Sequence, residues 1–331
     1  MGGDNAPYVT IRGAVQALRE SKNRFDVLLV GQKEVIKKII VDEELPFPEG
    51  NIIHATEVVS MDDIPSVALK TKPKSSVAVC ADLVKSGNAH AMVSAGNTGA
   101  VMAIATFKIG RIEGISRPAI GSLVPTLKNP SLAIDMGANS DCKPSNLFEF
   151  ALMGSVYMKE MFGVDNPKIG LLSVGEEDSK GNEVTIQANK LLRQSNLNFY
   201  GNIEGRDILK GEVDVIVCDG FVGNIVLKFA EGFLYFILKK LKKSASENIL
   251  NKIKLGFSKG VLKEILGVFD YQQYGGIPLF GVNGVVVIGH GSSTEVAVKN
   301  MIIRGYEIYK HNVVNRIKEA IENYYLKVQE G

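Results

Sequence analysis

Short runs of β-branched and other apolar residues alternate along the chain with longer stretches of helical period. The runs at 26–30, 51–54, 90–94, 119–124, 132–135, 168–174, 198–200, 213–218 and 285–288 predict strands. Helical periodicity near 9–20, 33–41, 75–86, 99–109, 144–162, 182–194 and 223–245, and over one long stretch at 293–325, predicts helices. Strict alternation of this kind predicts an α/β protein: a largely parallel sheet with helices on both faces, a three-layer α/β/α arrangement. No internal repeat, low-complexity tract or Pro/Ser linker divides it. The expected organisation is one α/β domain over 1–331, with a helical protrusion inserted at 226–270.

In such sheets ligands sit beyond the carboxyl ends of strands. The most informative loop there is Ser94-Ala95-Gly96-Asn97-Thr98-Gly99-Ala100, between an apolar run and a helix. Its glycines let an anion approach unpaired backbone N–H groups, and Ser94, Asn97 and Thr98 add side-chain groups. It reads equally as a phosphate cradle or as a simple helix cap. Polar, glycine-containing loops recur at 1–7, 135–144, 174–183, 218–224 and 288–293. All are expected on one sheet edge, as the walls of a single site.

Composition narrows the function classes. The 331 residues are 45% hydrophobic and 22% charged, with a net charge of +2, which argues against a nucleic-acid-coating protein. Three scattered cysteines, Cys80, Cys142 and Cys218, lack metal-ligand spacing and fit a reducing, cytoplasmic setting. No signal peptide is visible, and the unbroken apolar runs are too short to cross a bilayer. Charge is nevertheless uneven. Between 239 and 263 stand Lys239, Lys240, Lys242, Lys243, Lys252, Lys254, Lys259 and Lys263 against the single acid Glu247, interleaved with apolar residues. This stretch reads as a solvated face opposite a dimer or core face, as an amphipathic hairpin on anionic lipid, or as a surface for an acidic protein.

The standard nucleotide-binding, nucleophile-elbow and zinc-helix motifs are missing. Asp4, Asp135, Asp141, Asp178 and Asp219 are too dispersed to predict a metal site, and none is expected; no cofactor is expected either. Cys142 reads as a small hydrophobe rather than a nucleophile. His290, between two glycines, could donate to an anion, shuttle a proton or serve structure alone.

Taken in order, the loops resemble those of the PlsX family, the phosphate acyltransferases of bacterial phospholipid synthesis. The resemblance is carried by residues 1–7, His54-Ala55-Thr56-Glu57-Val58, Met61-Asp62-Asp63, the 94–100 loop, Gly110-Arg111-Ile112, Arg117-Pro118-Ala119 and Met136-Gly137-Ala138-Asn139. It continues through Asp141-Cys142-Lys143-Pro144, residues 151–157, Gly175-Glu176-Glu177, Lys180-Gly181-Asn182-Glu183, residues 201–207, residues 219–224, Tyr274-Gly275-Gly276 and His290-Gly291-Ser292-Ser293, and so spans essentially the whole chain. It implies a fold related to phosphotransacetylases and to isocitrate/isopropylmalate dehydrogenases, and a homodimer. It also implies transfer of a long acyl chain from acyl carrier protein to inorganic phosphate. The acyl phosphate would pass to a membrane-bound glycerol-3-phosphate acyltransferase, placing the protein in the cytoplasm at the inner membrane face. On the same chemistry, Ser94, Gly96, Asn97, Thr98 and Gly99, with Asn139 and Lys143, are expected to hold phosphate. Asn224 or His290 would serve the oxyanion or the leaving thiolate, and Lys180 and Arg206 the phosphate or the phosphopantetheine arm. Lys108, Arg111, Arg117 and Lys128 are candidate members of a basic face for the acidic carrier. Family members usually carry a short hydrophobic strand ahead of Met-Gly-Gly-Asp, so an open sheet position is expected here. The alternatives are acyl transfer between coenzyme A and phosphate, and a non-catalytic membrane-surface scaffold for lipid enzymes.

Overall fold

In the run Val285–Ile288, residues Val285 and Val287 join one apolar cluster while Val286 and Ile288 join another. Such period-two alternation, with both faces buried, is what a central strand between two helical layers requires. The computed structural model describes residues 1–22, 24–269 and 275–330. Tyr274 of the Tyr-Gly-Gly motif and the side chains of Ile249, Leu250, Lys254, Lys259 and Lys263 lie outside the described residues.

The amino-terminal part runs α1 (Tyr8–Ser21), β1 (Leu29–Gly31), α2 (Lys33–Asp42), β2 (Ile52–His54), α3 (Pro65–Thr71), α4 (Ser76–Lys85), β3 (Ala91–Ser94) and α5 (Thr98–Ile104). There follow β4 (Ala119–Val124), β5 (Ser131–Ile134), α6 (Pro144–Phe162), β6 (Ile169–Leu172), α7 (Glu183–Arg193), β7 (Phe199–Ile203) and β8 (Val215–Val217). The carboxyl-terminal part holds α8 (Gly220–Glu247), α9 (Ile249–Phe257), α10 (Lys259–Gly267), β9 (Ile277–Phe280), β10 (Val285–Ile288), α11 (Glu295–Lys310) and α12 (Val313–Glu330).

Eight strands form the main sheet in the order β3-β10-β9-β4-β5-β8-β6-β7. β3 and β10 are parallel, as are neighbours in β5-β8-β6-β7, but β9 runs against both β10 and β4, and β4 against β5. The sheet therefore holds two parallel groups pointing in opposite directions. On one face α6, α7, α11 and α12 cover both groups. On the other, α4 and α5 cover the first group and the opening turns of α8 cover the second.

The short α3 has no counterpart among the predicted helices, and three further elements differ from the sequence pattern. β9 was hidden by Pro278, a residue that argues against a central strand. The stretch at 293–325 is two helices, broken where Asn312 takes a left-handed φ of 56°. The helix read at 223–245 begins earlier, α8 being continuous from Gly220 with its first turns packed on the body. At 28 residues and about 42 Å, α8 is long and apolar enough to cross a membrane by length and composition alone. Run length concealed this because Lys228 and Glu231 interrupt the apolar sequence, while in the helix they pair with each other at 2.8 Å.

β1 and β2 form a separate parallel pair. Between β1 and β3 lies a cavity of about 690 Å³ lined by residues including Leu29, Val30, Met92, Val93, Ile11 and Val101. The Met1 ammonium is buried at its rim, and that burial lowers its pKa. Among the described residues β1 pairs only with β2, and β3 only with β10.

Candidate active site

The opposite directions of the two parallel groups, set against each other where β4 pairs with β5, divide the polar loops. Those after β3 and β10, together with residues 1–7, lie at one edge of the sheet. Those after β5, β8, β6 and β7, which are consecutive parallel neighbours, lie at the opposite edge. The expected single edge is thus two edges. Asn139, Lys143, Lys180, Arg206 and Asn224 lie on loops or helix starts of the second edge, and Ser94, Gly96, Asn97, Thr98, Gly99 and His290 on those of the first. Four inter-strand steps separate β10 from β8, roughly 19 Å, so one chain does not bring His290 and Asn224 together.

At the second edge the organising group is Asp135, fully buried at the end of β5. Its carboxylate accepts from the N–H groups of Ile120 (3.2 Å), Gly137 (3.2 Å), Ala138 (2.9 Å) and Asn139 (2.8 Å), and from Asn139 Nδ2 (2.8 Å). Burial pushes the Asp135 carboxyl up, against the pull of these donors. The same donors fold residues 136–139 into a tight loop, with Gly137 at φ +131°. Asn139 Nδ2 also donates to the Pro118 carbonyl (2.8 Å), so both amide hydrogens are committed to structure. The Asn139 carbonyl accepts from Gly220 N–H (2.7 Å), which docks the start of α8 on this loop. Asp219 caps that helix through Val222 N–H (2.8 Å). Asn224 stands exposed in the first turns of α8 beside Gly137, with no side-chain hydrogen bond to other described residues.

Lys180 lies in the loop between β6 and α7, exposed, and its ammonium makes no ion pair or hydrogen bond among the described residues. Lys143, at the start of α6, is likewise exposed and without an ion pair there. Arg206 is engaged by Glu176 (3.2 Å) and Glu204 (3.3 Å), which raise its pKa. The edge therefore offers two uncommitted cations and one uncommitted amide around the opening of a long helix.

The first edge is more committed. Asn97 Oδ1 caps α5 by accepting from Ala100 N–H (3.0 Å), and its Nδ2 donates to the carbonyls of Met61 and Asp63, each at 2.9 Å. Ser94 Oγ accepts from Gly96 N–H (3.3 Å), and Gly99 packs against Pro65. These bonds make Asn97 the cap of α5. His290 Nδ1 lies 2.7 Å from Ser292 Oγ.

Other candidates resolve similarly. Burial, with the charges of Asp135 and Asp219, pushes the Cys142 thiol up to about 11, and burial takes Cys80 to about 11. Cys218 is pushed further in the same direction. These are protonated thiols at neutral pH. Asp178 is held by Arg193 at 2.7 Å, and among the described residues no group of three or more His, Cys, Asp or Glu could hold a metal. Lys108 is paired with Asp82 (2.7 Å) and Lys128 with Glu212 (2.9 Å), while Arg111 donates to the Ser116 carbonyl. Lys108 and Lys128 are therefore neutralised locally, while Arg111 and Arg117 make no ion pair among the described residues. Asp135 itself was weighed in the sequence only as a metal ligand; its five donors come from backbone and loop, which no motif reports.

The fold is that of phosphotransacetylase-like enzymes. A phosphotransacetylase from Streptococcus pyogenes superimposes with a TM-score of 0.58 at 20% identity, covering 96% of this chain and 92% of that one. A 4-hydroxythreonine-4-phosphate dehydrogenase from Salmonella typhimurium gives 0.52 at 13%, covering 91% and 97%. The family profile described as fatty acid synthesis protein matches residues 1–316. The proteins named "Phosphate acyltransferase" from Endomicrobium trichonymphae and Desulforudis audaxviator are 46% and 47% identical, covering 99% and 97% of this chain and 98% and 94% of their own. The chain belongs to this fatty acid synthesis protein family, the PlsX family, and is an acyltransferase.

Proposed function

We propose that the protein transfers a long acyl chain from acyl carrier protein to inorganic phosphate, forming acyl phosphate for phospholipid synthesis. The observation that carries this reading is full-length similarity to phosphate acyltransferases, joined to uncommitted donors at the carboxyl edge of four parallel strands. A phosphate oxygen attacks the thioester carbonyl, the C–O bond forms, the C–S bond breaks, and the pantetheine thiolate takes a proton. Phosphate is already an anionic nucleophile, so the protein's task is placement and charge stabilisation. Lys180 and Lys143 hold the phosphate, and Asn224 donates to the oxyanion. Arg206 joins them by exchanging a carboxylate for phosphate. The Ser94–Gly99 loop and His290, at the other edge, serve the amino-terminal half of the fold.

The protrusion suits a homodimer at the cytoplasmic membrane face. Phe229, Phe233, Tyr235, Phe236 and Leu238 of α8 are exposed, and Lys239 and Lys240 lie over the rings of Tyr235 and Phe236 at 5.3 and 5.7 Å. An apolar surface ending in lysines fits a second copy of the chain along its length and anionic lipid at its tip. From there the product would reach a membrane-bound glycerol-3-phosphate acyltransferase.

Parallel assays with acyl carrier protein and coenzyme A thioesters, trapping acyl phosphate with hydroxylamine, test the reading. Acyl phosphate from the carrier thioester is expected, with Lys180→Ala raising the phosphate KM about tenfold or more. Product from the coenzyme A thioester alone would favour the phosphotransacetylase-type reaction, and no product from either would leave the scaffold.

A further inference from the structure

Two asparagine side chains, Asn189 on α7 and Asn202 on β7, are buried at 2% and 3% exposure beneath the loop that carries Lys180. A buried amide without partners loses the hydrogen bonds that water gave it, so each needs hydrogen bonds, and two apolar residues could fill the space without that demand. Both amides direct their bonds to the loop and to each other. Asn202 Nδ2 donates to the Glu177 carbonyl (2.8 Å) and, more weakly, toward the Lys180 carbonyl (3.5 Å). Asn189 Nδ2 donates to Asn202 Oδ1 (2.9 Å) and Asp178 Oδ1 (3.0 Å). Asp178 is also gripped by Arg193, and Ser173 Oγ donates to the Lys180 carbonyl (3.2 Å). The loop is thus fastened at 177, 178 and 180 from below, while the Lys180 ammonium is left unpaired above.

We infer that Asn189 and Asn202 are positioning residues that fix the backbone on either side of Lys180, and so set where its ammonium meets phosphate. The inference rests on the role of Lys180 given above. An amide pair can hold a loop at a defined height over the sheet because its bonds are directional; apolar packing would fill the space and leave the height free.

A double-mutant cycle on the full chain tests this, with Lys180→Ala, Asn202→Ala and the two combined, each followed by kcat and phosphate KM in the acyl-transfer assay and by melting temperature. Asn202→Ala is expected to lower kcat/KM for phosphate about tenfold in the parent, and to have no further effect when Lys180 is already alanine. A structural role alone would lower the melting temperature and carry the same kinetic factor into both backgrounds; that additivity, with Lys180→Ala impaired, would overturn the inference alone. Unchanged kinetics in Lys180→Ala would overturn the site assignment and the inference with it. Should Asn202→Ala not fold, Asn202→Asp keeps the shape and the acceptor for Asn189 but faces two carbonyls without a donor, and it is expected to reproduce the cycle.

Discussion

Replacing Asn224 by alanine is expected to lower kcat by about 10²–10³-fold while leaving the melting temperature unchanged. The two halves of that expectation have separate causes. The side chain is exposed and makes no hydrogen bond within the described fold, so its loss removes no packing. Catalytically, it is the uncommitted amide at the opening of α8, beside the Gly137 backbone that Asp135 fixes in place. A donor held ready for a developing oxyanion needs no reorganisation at the moment of reaction, which is why removing one is costly. Asparagine to aspartate should be worse still, because a carboxylate would repel phosphate. Steady-state kinetics with the carrier thioester, beside a thermal melt, checks both halves; full activity in Asn224→Ala would remove this residue from the chemistry.

The second large effect is expected at Gly223. A methyl group there would fall on the carbonyl oxygen of Asp135, and the Cys218 sulfur lies 3.1 Å away on another side. Backbone offers no rotamer to move, so α8 would have to lift from the 135–139 loop. Gly223→Ala should therefore destabilise the protein by at least about 3 kcal/mol, the upper end of ordinary overpacking, and lose activity together with stability. Gly232, further along the same helix, has nothing within 4 Å of its added methyl. Alanine there is expected to be neutral or stabilising, by up to about 1 kcal/mol. Thermal or denaturant unfolding of the pair tests the docking geometry; similar stabilities for the two variants would contradict it.

Much of this was legible in the sequence. Of the nine runs read as strands, each meets a strand of the structure, because a sheet buried on both faces leaves dense apolar runs bounded by polar turns. β9 escaped because Pro278 breaks that signature. The antiparallel pairing of β4 with β5 turns the second parallel group against the first, and a run of apolar residues does not report its direction, so the loops were expected on a single edge. Individual loops were recognisable by glycine and polar residues, but the same residues mark a cap and a cradle alike. Asn97 and Asn139 look like ligand residues in the sequence, and only the partners of their amides show that they also hold the chain. Asn189 gave no signal, and Asn202 only as one member of the 201–207 motif: their pairing joins a helix face to a strand.

Because α8 runs unbroken from Gly220 to Glu247, the residue assigned to the oxyanion and the aromatic, lysine-tipped far end belong to a single rigid rod. Its base is seated by glycine on the Asp135 carbonyl, and beyond the first turns it touches little of the body. On the function proposed above, a second chain or a lipid headgroup layer that gripped the free end would act on a lever whose base lies beside Asn224, so a load at the far end would be carried along the helix to that residue.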